Sequence, residues 1–235
     1  MMSIVIMQPY VFPYIGYFQL IQAADVFVFY DDVNYINKGW INRNRILLNG
    51  KDQLFTIPCK EASQNKLIKD IEVLHDEKGG QKLLATMQVA YKKAPFYNEV
   101  YPVIEQTIRI KEGATIADLS INSVVNICQY LGLKKVFKRS SEEYSNRELK
   151  KADRLIDICH KEGIVHYINA SGGREIYTKE YYKEQGIDID FLMPEKVEYT
   201  QFGNEFVPWL SMIDVLMFNS VEEIKERILP SYKFE

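Results

Sequence analysis

Residues 3–32 read SIVIMQPYVFPYIGYFQLIQAADVFVFYDD. Ser3–Met7 is a short apolar run, which predicts a buried strand. Pro9 and Pro13 follow, and from Gly16 to Ala23 the apolar residues return at helical spacing. Val26–Tyr30 is β-branched and aromatic throughout, bounded by Asp25 and by Asp31–Asp32, and reads as a second strand. Strand, helix, strand in so short a stretch is the signature of a parallel sheet, because parallel neighbours need a crossover.

Outward from this unit, Leu54–Ile57 and Ile68–Val73 read as third and fourth strands, and Lys135–Lys138, Ile164–Ile168 and Ile187–Leu192 as later ones. Helical periodicity begins at Gln81, breaks at Ala94–Pro95, and resumes over 101–110 and 116–131. Further helices are expected over 146–162, after the SGGRE loop through Tyr182, and over 209–218 and 221–228. The expectation is one α/β domain over 1–235, a mainly parallel sheet flanked by helices, with a mainly helical insertion at about 80–131.

Bulk properties exclude several classes. A net charge of −3 over 235 residues gives no global field to recruit nucleic acid or an anionic membrane. Cys59, Cys128 and Cys159 show no paired spacing, which fits a reducing compartment. The chain has no leader-like start and no apolar run near the ~20 residues a membrane span needs, so a cytoplasmic location is expected. Cys159, His160 and His166 match no zinc signature, His75 stands alone, and no metal ligand is assigned.

Several stretches could carry chemistry. The turn after the first strand spends its positions on Gln8, Tyr10, Tyr14, Gly16 and Tyr17, where a simple turn would use small polar residues. It lies at a strand's carboxyl end, where open α/β sheets bind ligands, and leads into a helix N-terminus suited to phosphate. It also reads as a proline-stiffened turn whose rings pack on the sheet. Asp31 and Asp32 follow the second strand at the same edge and could hold a divalent metal, accept a proton, bind an amine or sugar hydroxyls, or simply cap a helix or turn. Lys38, Trp40, Asn42, Arg43 and Arg45 form a basic–aromatic cluster, with the two arginines on one strand face, a pair suited to phosphate or to plain surface charge. Ser171, Gly172, Gly173 and Arg174 form a strand-to-helix loop that offers N–H groups and a cation to an anion. Lys138, Arg139, Ser140 and Ser141 could place another phosphate-binding set at the same sheet edge, while Ser140 and Ser141 read equally as helix caps, the favoured reading. Asp214, inside an apolar helical run, needs a partner, for which Arg43 or Arg45 is the expected one.

Taken together, QPxxxPxxGYF, ADVFVFYDDV, GWxNRNRI, AYKKAPFY, YINASGGREIY and FVPWLSMIDVLMFN resemble the WbqC-like protein family over nearly the whole chain. That resemblance implies surface-polysaccharide (O-antigen type) synthesis and a nucleotide-linked sugar, or another phosphate-bearing small molecule, as ligand. The resemblance supplies a pathway and not a mechanism; read with the residues above, the leading expectation is a transferase acting on a nucleotide-activated amino sugar, such as one adding an acyl or aminoacyl group, with Asp31 or Asp32 as base or amine anchor. A non-catalytic nucleotide-sugar binding module is the alternative. PYIGYF is also similar in placement to the turn of HIGH-motif nucleotidylyltransferases, with Tyr14 and Tyr17 where those enzymes carry histidines. That adds an ATP-dependent nucleotidylyltransferase- or ligase-like reading. No cofactor follows from either likeness.

Overall fold

In the computed structural model, residues 2–74, 77–109, 111–203 and 205–235 are described; His75 and Ile110 lie outside them. The apolar run Ser3–Met7 is strand β1, Ile15–Ala23 is helix α1, and Val26–Phe29 is β2. β1 and β2 pair in parallel, from Ile4 opposite Val26 to Met7 opposite Phe29.

The next segment departs from expectation. Arg43–Leu48 (β3) and Lys51–Thr56 (β4) form an antiparallel hairpin that stands outside the main sheet. The reason is the link: Asn49 and Gly50, with φ of 52° and 73°, make a two-residue turn, and so short a turn joins only antiparallel strands. The expected strand at Ile68–Val73 is a 3₁₀ turn over Ile68–Asp70 followed by isolated bridges. Its backbone is used elsewhere, since Ile68 and Lys69 donate their N–H groups to the carbonyls of Val33 and Asp31.

Helices α2 (Glu77–Tyr91), α3 (Tyr97–Ile108) and α4 (Ile116–Tyr130) come next. α4 opens on a capping box in which Thr115 and Asp118 satisfy each other's N–H groups. β5 (Val136–Arg139) runs into the short helix α5 (Ser140–Glu143). Ser140 and Ser141 do not cap it, because their hydroxyls turn to Asp31 and Asp32. α6 spans Lys151–Glu162 and starts later than expected. Asn146 stays outside, its side chain bonding forward to Arg154 and Asp157, a habit that favours helix edges over interiors.

β6 (His166–Ala170), α7 (Lys179–Glu184), β7 (Asp188–Pro194), α8 (Met212–Phe218), α9 (Val221–Glu223) and β8 (Tyr232–Phe234) complete the chain. A π-helical turn over Ile224–Ile228 extends α9. The expected helix from Trp209 begins only after Ser211, because Trp209 has a left-handed φ of 59° and Ser211 is the N-cap.

Among the described residues the main sheet has six strands in the order β5-β2-β1-β6-β7-β8, parallel except for β8. The strand order reverses direction at β1, so a crevice opens between the carboxyl ends of β1 and β6. Gln8, Tyr30, Ser140, Ser171 and Glu195 follow the parallel strands on that edge. Alternation along the strands divides the core. Val5, Phe27 and Phe29 pack toward α1 and the α2–α4 helices; Ile4, Ile6, Val26 and Val28 pack toward α6 and α7. No described helix is long and apolar enough to cross a membrane.

Candidate functional site

The turn between β1 and α1 is clasped from three directions. Val11 N–H donates to the Ile41 carbonyl at 3.0 Å, and Phe12 N–H to Ser123 Oγ of α4 at 2.9 Å. The Phe12 carbonyl accepts from Asn44 Nδ2 of β3 and from Ser211 Oγ, each at 2.7 Å. Met212 N–H adds a bond to the Pro13 carbonyl at 2.8 Å. Phe12 is wholly buried and has φ of 42°. A bulky residue in the left-handed region costs roughly 1–3 kcal/mol and persists only where its surroundings over-determine it. These contacts do so. The turn is therefore a junction that fixes the hairpin and α8 against the sheet.

Where the three parts meet lies a cleft of about 320 Å³, lined by Tyr10, Pro13, Tyr14, Trp40, Asn44, Arg45 and Trp209. That volume is at the lower end of the roughly 300–1,000 Å³ of small-molecule sites. Tyr14 and Trp209 meet edge to face at 6.2 Å. The guanidinium groups of Arg43 and Arg45 lie over the Trp40 ring at 5.8 and 5.3 Å, on the shared strand face. Trp40 and Trp209 each keep about two fifths of their surface exposed, at 42% and 41%, although burial drives rings of this size inward. Burial raises the pKa of Tyr10 and of Tyr14, with Tyr14 also acting on Tyr10, so both phenols are neutral donors at pH 7.

Arg45 is the cation of this cleft. Its Nη1 reaches Asp52 at 3.2 Å across the exposed hairpin surface, a pairing of little strength in water. Its Nε is buried without a hydrogen-bond partner among the described residues. Arg43 differs. It donates to the carbonyls of Gly39 and Lys38, and so braces the loop on which Lys38 sits exposed with φ of 57°. Asn42 is likewise committed, accepting from Tyr35 Oη at 2.7 Å and donating to the Ile57 carbonyl at 2.9 Å.

Other anticipated residues stand behind or apart from the cleft. Tyr17 is 1% exposed and donates its hydroxyl to the Gln8 carbonyl at 3.0 Å. Gln8 accepts from Tyr10 Oη through its side chain at 3.4 Å. Gly16 makes room for a neighbouring ring: a Cβ there would come within 2.5 Å of Tyr14. Ser171, Gly172 and Arg174 border a separate open depression with Glu175. Gly173 is packed against Asn169, and Arg174 pairs with Glu235.

Asp31 and Asp32 are buried at the sheet edge, at 0% and 2% exposure, and neither lines the cleft. Asp31 accepts from Arg139 and from both the N–H and the hydroxyl of Ser141, at 2.8 to 3.0 Å. Asp32 pairs with Arg154 at 2.6 Å, and Ser140 Oγ lies against both carboxylates. The Arg154 guanidinium also lies over the face of Tyr30, its carbon 4.7 Å from the ring centroid. Buried charges require such pairing.

Asp214 has neither of its expected arginine partners. It is wholly buried and accepts from Tyr91 Oη at 2.8 Å, Tyr199 Oη at 2.7 Å and Gln201 Nε2 at 2.7 Å. Tyr91 Oη in turn accepts Leu47 N–H at 2.9 Å, so the carboxylate ties α2, β3, α8 and the segment before α8 together. Arg43 and Arg45 are engaged elsewhere, Arg43 with the carbonyls of Gly39 and Lys38, Arg45 with Asp52, and both with the Trp40 ring. Burial raises the pKa of Asp214 against the lowering effect of its three donors.

Sequence reasoning missed Asn44, Pro13 and Trp209 as cleft residues. Trp209 had a local signal, a tryptophan after a proline and before an apolar run. Asn44 had only its place between two arginines. Among the described residues no group of three or more histidines, cysteines or acids is arranged to hold a metal ion.

The model of the WbqC-like protein family matches residues 8–226, which takes in the turn, the hairpin, the sheet edge and Trp209. A Mycobacterium tuberculosis protein, "Uncharacterized protein Rv1507c", is 27% identical over 223 residues, covering 93% of this chain and 94% of its own. No solved structure matches. The chain belongs to the WbqC-like protein family.

Proposed function

We propose that the aromatic cleft binds a nucleotide-linked sugar. On this reading the protein is a transferase of bacterial surface-polysaccharide synthesis that modifies an activated amino sugar by acyl or aminoacyl transfer. The observation that carries it is Arg45, whose buried Nε–H has no partner among the described residues, in a cleft walled by Trp40, Tyr14 and Trp209. A guanidinium fork suits phosphate oxygens, and ring faces suit the flat or apolar faces of a base or sugar. The pathway is what the family resemblance implies. Asp32 is the proposed base, with Asp31 beside it, and either acts only once a ligand at the carboxyl edge draws its arginine away.

One observation favours a second reading. The cleft lining holds no carboxylate, imidazole or thiol, so a module that carries or senses a sugar nucleotide would need nothing more. A nucleotidylyltransferase-like reading has less support, because Tyr17 is buried with its hydroxyl on a backbone carbonyl and cannot donate to a phosphate as it stands.

A thermal-shift screen of UDP- and dTDP-linked sugars, followed by mass spectrometry after incubation with acyl donors, aminoacyl donors or ATP, separates the three. A ligand at 100 times its Kd stabilises by about 2.7 kcal/mol. Binding with a mass gain on the sugar supports the transferase. Tight binding with no product under any donor establishes the module, and a nucleotidyl product points to ATP chemistry. Absence of binding by every nucleotide sugar sinks the proposal.

A further inference from the structure

The aromatic cleft is one-sided in its hydrogen bonding. Among its lining side chains, Arg45, Trp40 and Trp209 carry N–H groups and no acceptor. Asn44 is the amide of the lining, and both of its ends are engaged within the protein. Its Nδ2 donates to the carbonyls of Val11 and Phe12, and its Oδ1 accepts Arg45 N–H at 2.8 Å. Backbone acceptors are engaged in the same way. The carbonyls of Pro13, Arg45 and Tyr14 accept from Met212, Ser211 and Tyr17. Of the lining side chains, the phenols of Tyr10 and Tyr14 are left able to accept, and both also donate.

Charge points the same way. Among the described lining residues Arg45 is the one that is ionised, and Asp52, which meets its Nη1, stands outside the lining. Helix α1 starts at Ile15, directly after the cleft residues Pro13 and Tyr14, and no side chain caps it. The positive end of its dipole is therefore uncompensated at the cleft wall. The Tyr14 ring folds back over the first turn of α1, its hydroxyl standing where a Cβ on Gly16 would come within 2.5 Å. A group that enters such a cleft is an anion made of acceptors. The imide N–H of uracil, the exocyclic amine of adenine and the ammonium of an amino sugar all need acceptors. A diphosphate needs none.

We propose that the cleft is a clamp for the diphosphate of the nucleotide sugar, with Arg45 and Tyr14 as its donors, and that it does not read the edge of the base. The proposal rests on the sugar-binding reading above and names the part of the ligand that the cleft holds. At about 320 Å³ the cleft takes one part of so long a ligand and leaves the sugar projecting from it. The partly exposed indoles of Trp40 and Trp209 offer the base a face to stack on. Stacking is tolerant, because every base has a π-face. Selection among nucleotide sugars is then made by groups that meet the sugar and not by the cleft.

The test is calorimetry on the full chain with UDP-glucose, ADP-glucose, UDP, inorganic pyrophosphate and uridine. The three nucleotides are expected to bind within about fivefold of one another, the value of a single neutral hydrogen bond. Pyrophosphate should displace UDP-glucose, and uridine should not. Arg45→Ala should weaken the three nucleotides by one common factor, about tenfold or more. Tyr14→Phe, which keeps the ring and removes the hydroxyl, should weaken pyrophosphate as well. Unchanged pyrophosphate affinity in either variant overturns the clamp, and the comparisons on wild type decide it even where a variant fails to fold. A larger gap between UDP-glucose and ADP-glucose, or displacement by uridine and not by pyrophosphate, overturns the clamp while the nucleotide-sugar reading stands. Binding of pyrophosphate without any nucleotide overturns the nucleotide-sugar reading and keeps the anion clamp. Silence of all five probes overturns both.

Discussion

Arg43 and Arg45 share a strand face and the Trp40 ring, yet their partners differ, and so should their variants. Arg45→Ala removes a guanidinium whose buried Nε–H has no partner among the described residues and should weaken binding of a UDP-sugar by about 1.5–3 kcal/mol, the range for hydrogen bonds to charged groups. Calorimetry should show this with little change in Tm. Arg43→Ala removes two bonds to loop carbonyls, so it should lower stability by roughly 1 kcal/mol and change affinity much less. The adjacent carboxylates separate in the same way. Asp32→Asn leaves Arg154 buried with no other carboxylate partner among the described residues, which should cost about 3–5 kcal/mol in a urea titration. Asp31→Asn should cost less, about 1–3 kcal/mol, because Arg139 keeps Asp118 at 2.9 Å and Glu142 at 3.5 Å. If Asp32→Asn proves as stable as wild type, the pairing with Arg154 contributes nothing and the residue is free for chemistry. At this scale the sequence was half legible. Residue type and spacing picked out Tyr10, Tyr14, Trp40 and Arg45, but not that Asp31 and Asp32 already had arginines of their own.

The elements that the sequence revealed are those whose signal is local: β1, α1, β2 and α4 follow from apolar runs and periodicity. The hairpin was also written locally, in Asn49–Gly50, but its strands resemble those of the main sheet in composition, and composition alone does not say which sheet a strand joins. α8 was misplaced at its start because the left-handed Trp209 and the Ser211 cap are conformations, not compositions. Its buried Asp214 was paired wrongly because Tyr91 lies 123 residues away. That carboxyl sets a pH dependence. A carboxylate whose folded pKa is raised holds its proton more tightly in the native state, so its contribution to stability is complete below the unfolded value near 4 and is lost as pH rises through the folded value. Asp118 runs the other way. Burial opposes ionisation there, but Thr115 and Arg139 lower its pKa, so its contribution is lost as pH falls. Replacing Asp214 by Asn should therefore flatten the decline in unfolding free energy on the alkaline side of the carboxylate range and leave the acid limb in place. Denaturant melts at a series of pH values check this, and an unchanged alkaline-side slope would assign it elsewhere.

Across the whole molecule, the sheet order was out of reach of sequence reasoning, although parallel pairing was not, because which side of β1 the later strands choose is a matter of crossover packing. The antiparallel edge strand β8 was missed for a related reason: Tyr232–Phe234 is too short to carry a period. The same long-range closure bears on Phe12, whose carbonyl is held by Ser211 from 199 residues further along. Gln19 waits likewise for Ser231, 212 residues away. Contacts so distant in sequence form late, after the entropy of closing the intervening chain has been met. During synthesis the ribosome still covers the residues that finish the cleft when most of the sheet has emerged. A nascent chain stalled with residue 205 at the tunnel exit should thus fail to retain a labelled UDP-sugar, whereas the same chain extended by a linker past Glu235 should retain it. Ligand competence then arrives only once Trp209 and the residues after it have cleared the tunnel.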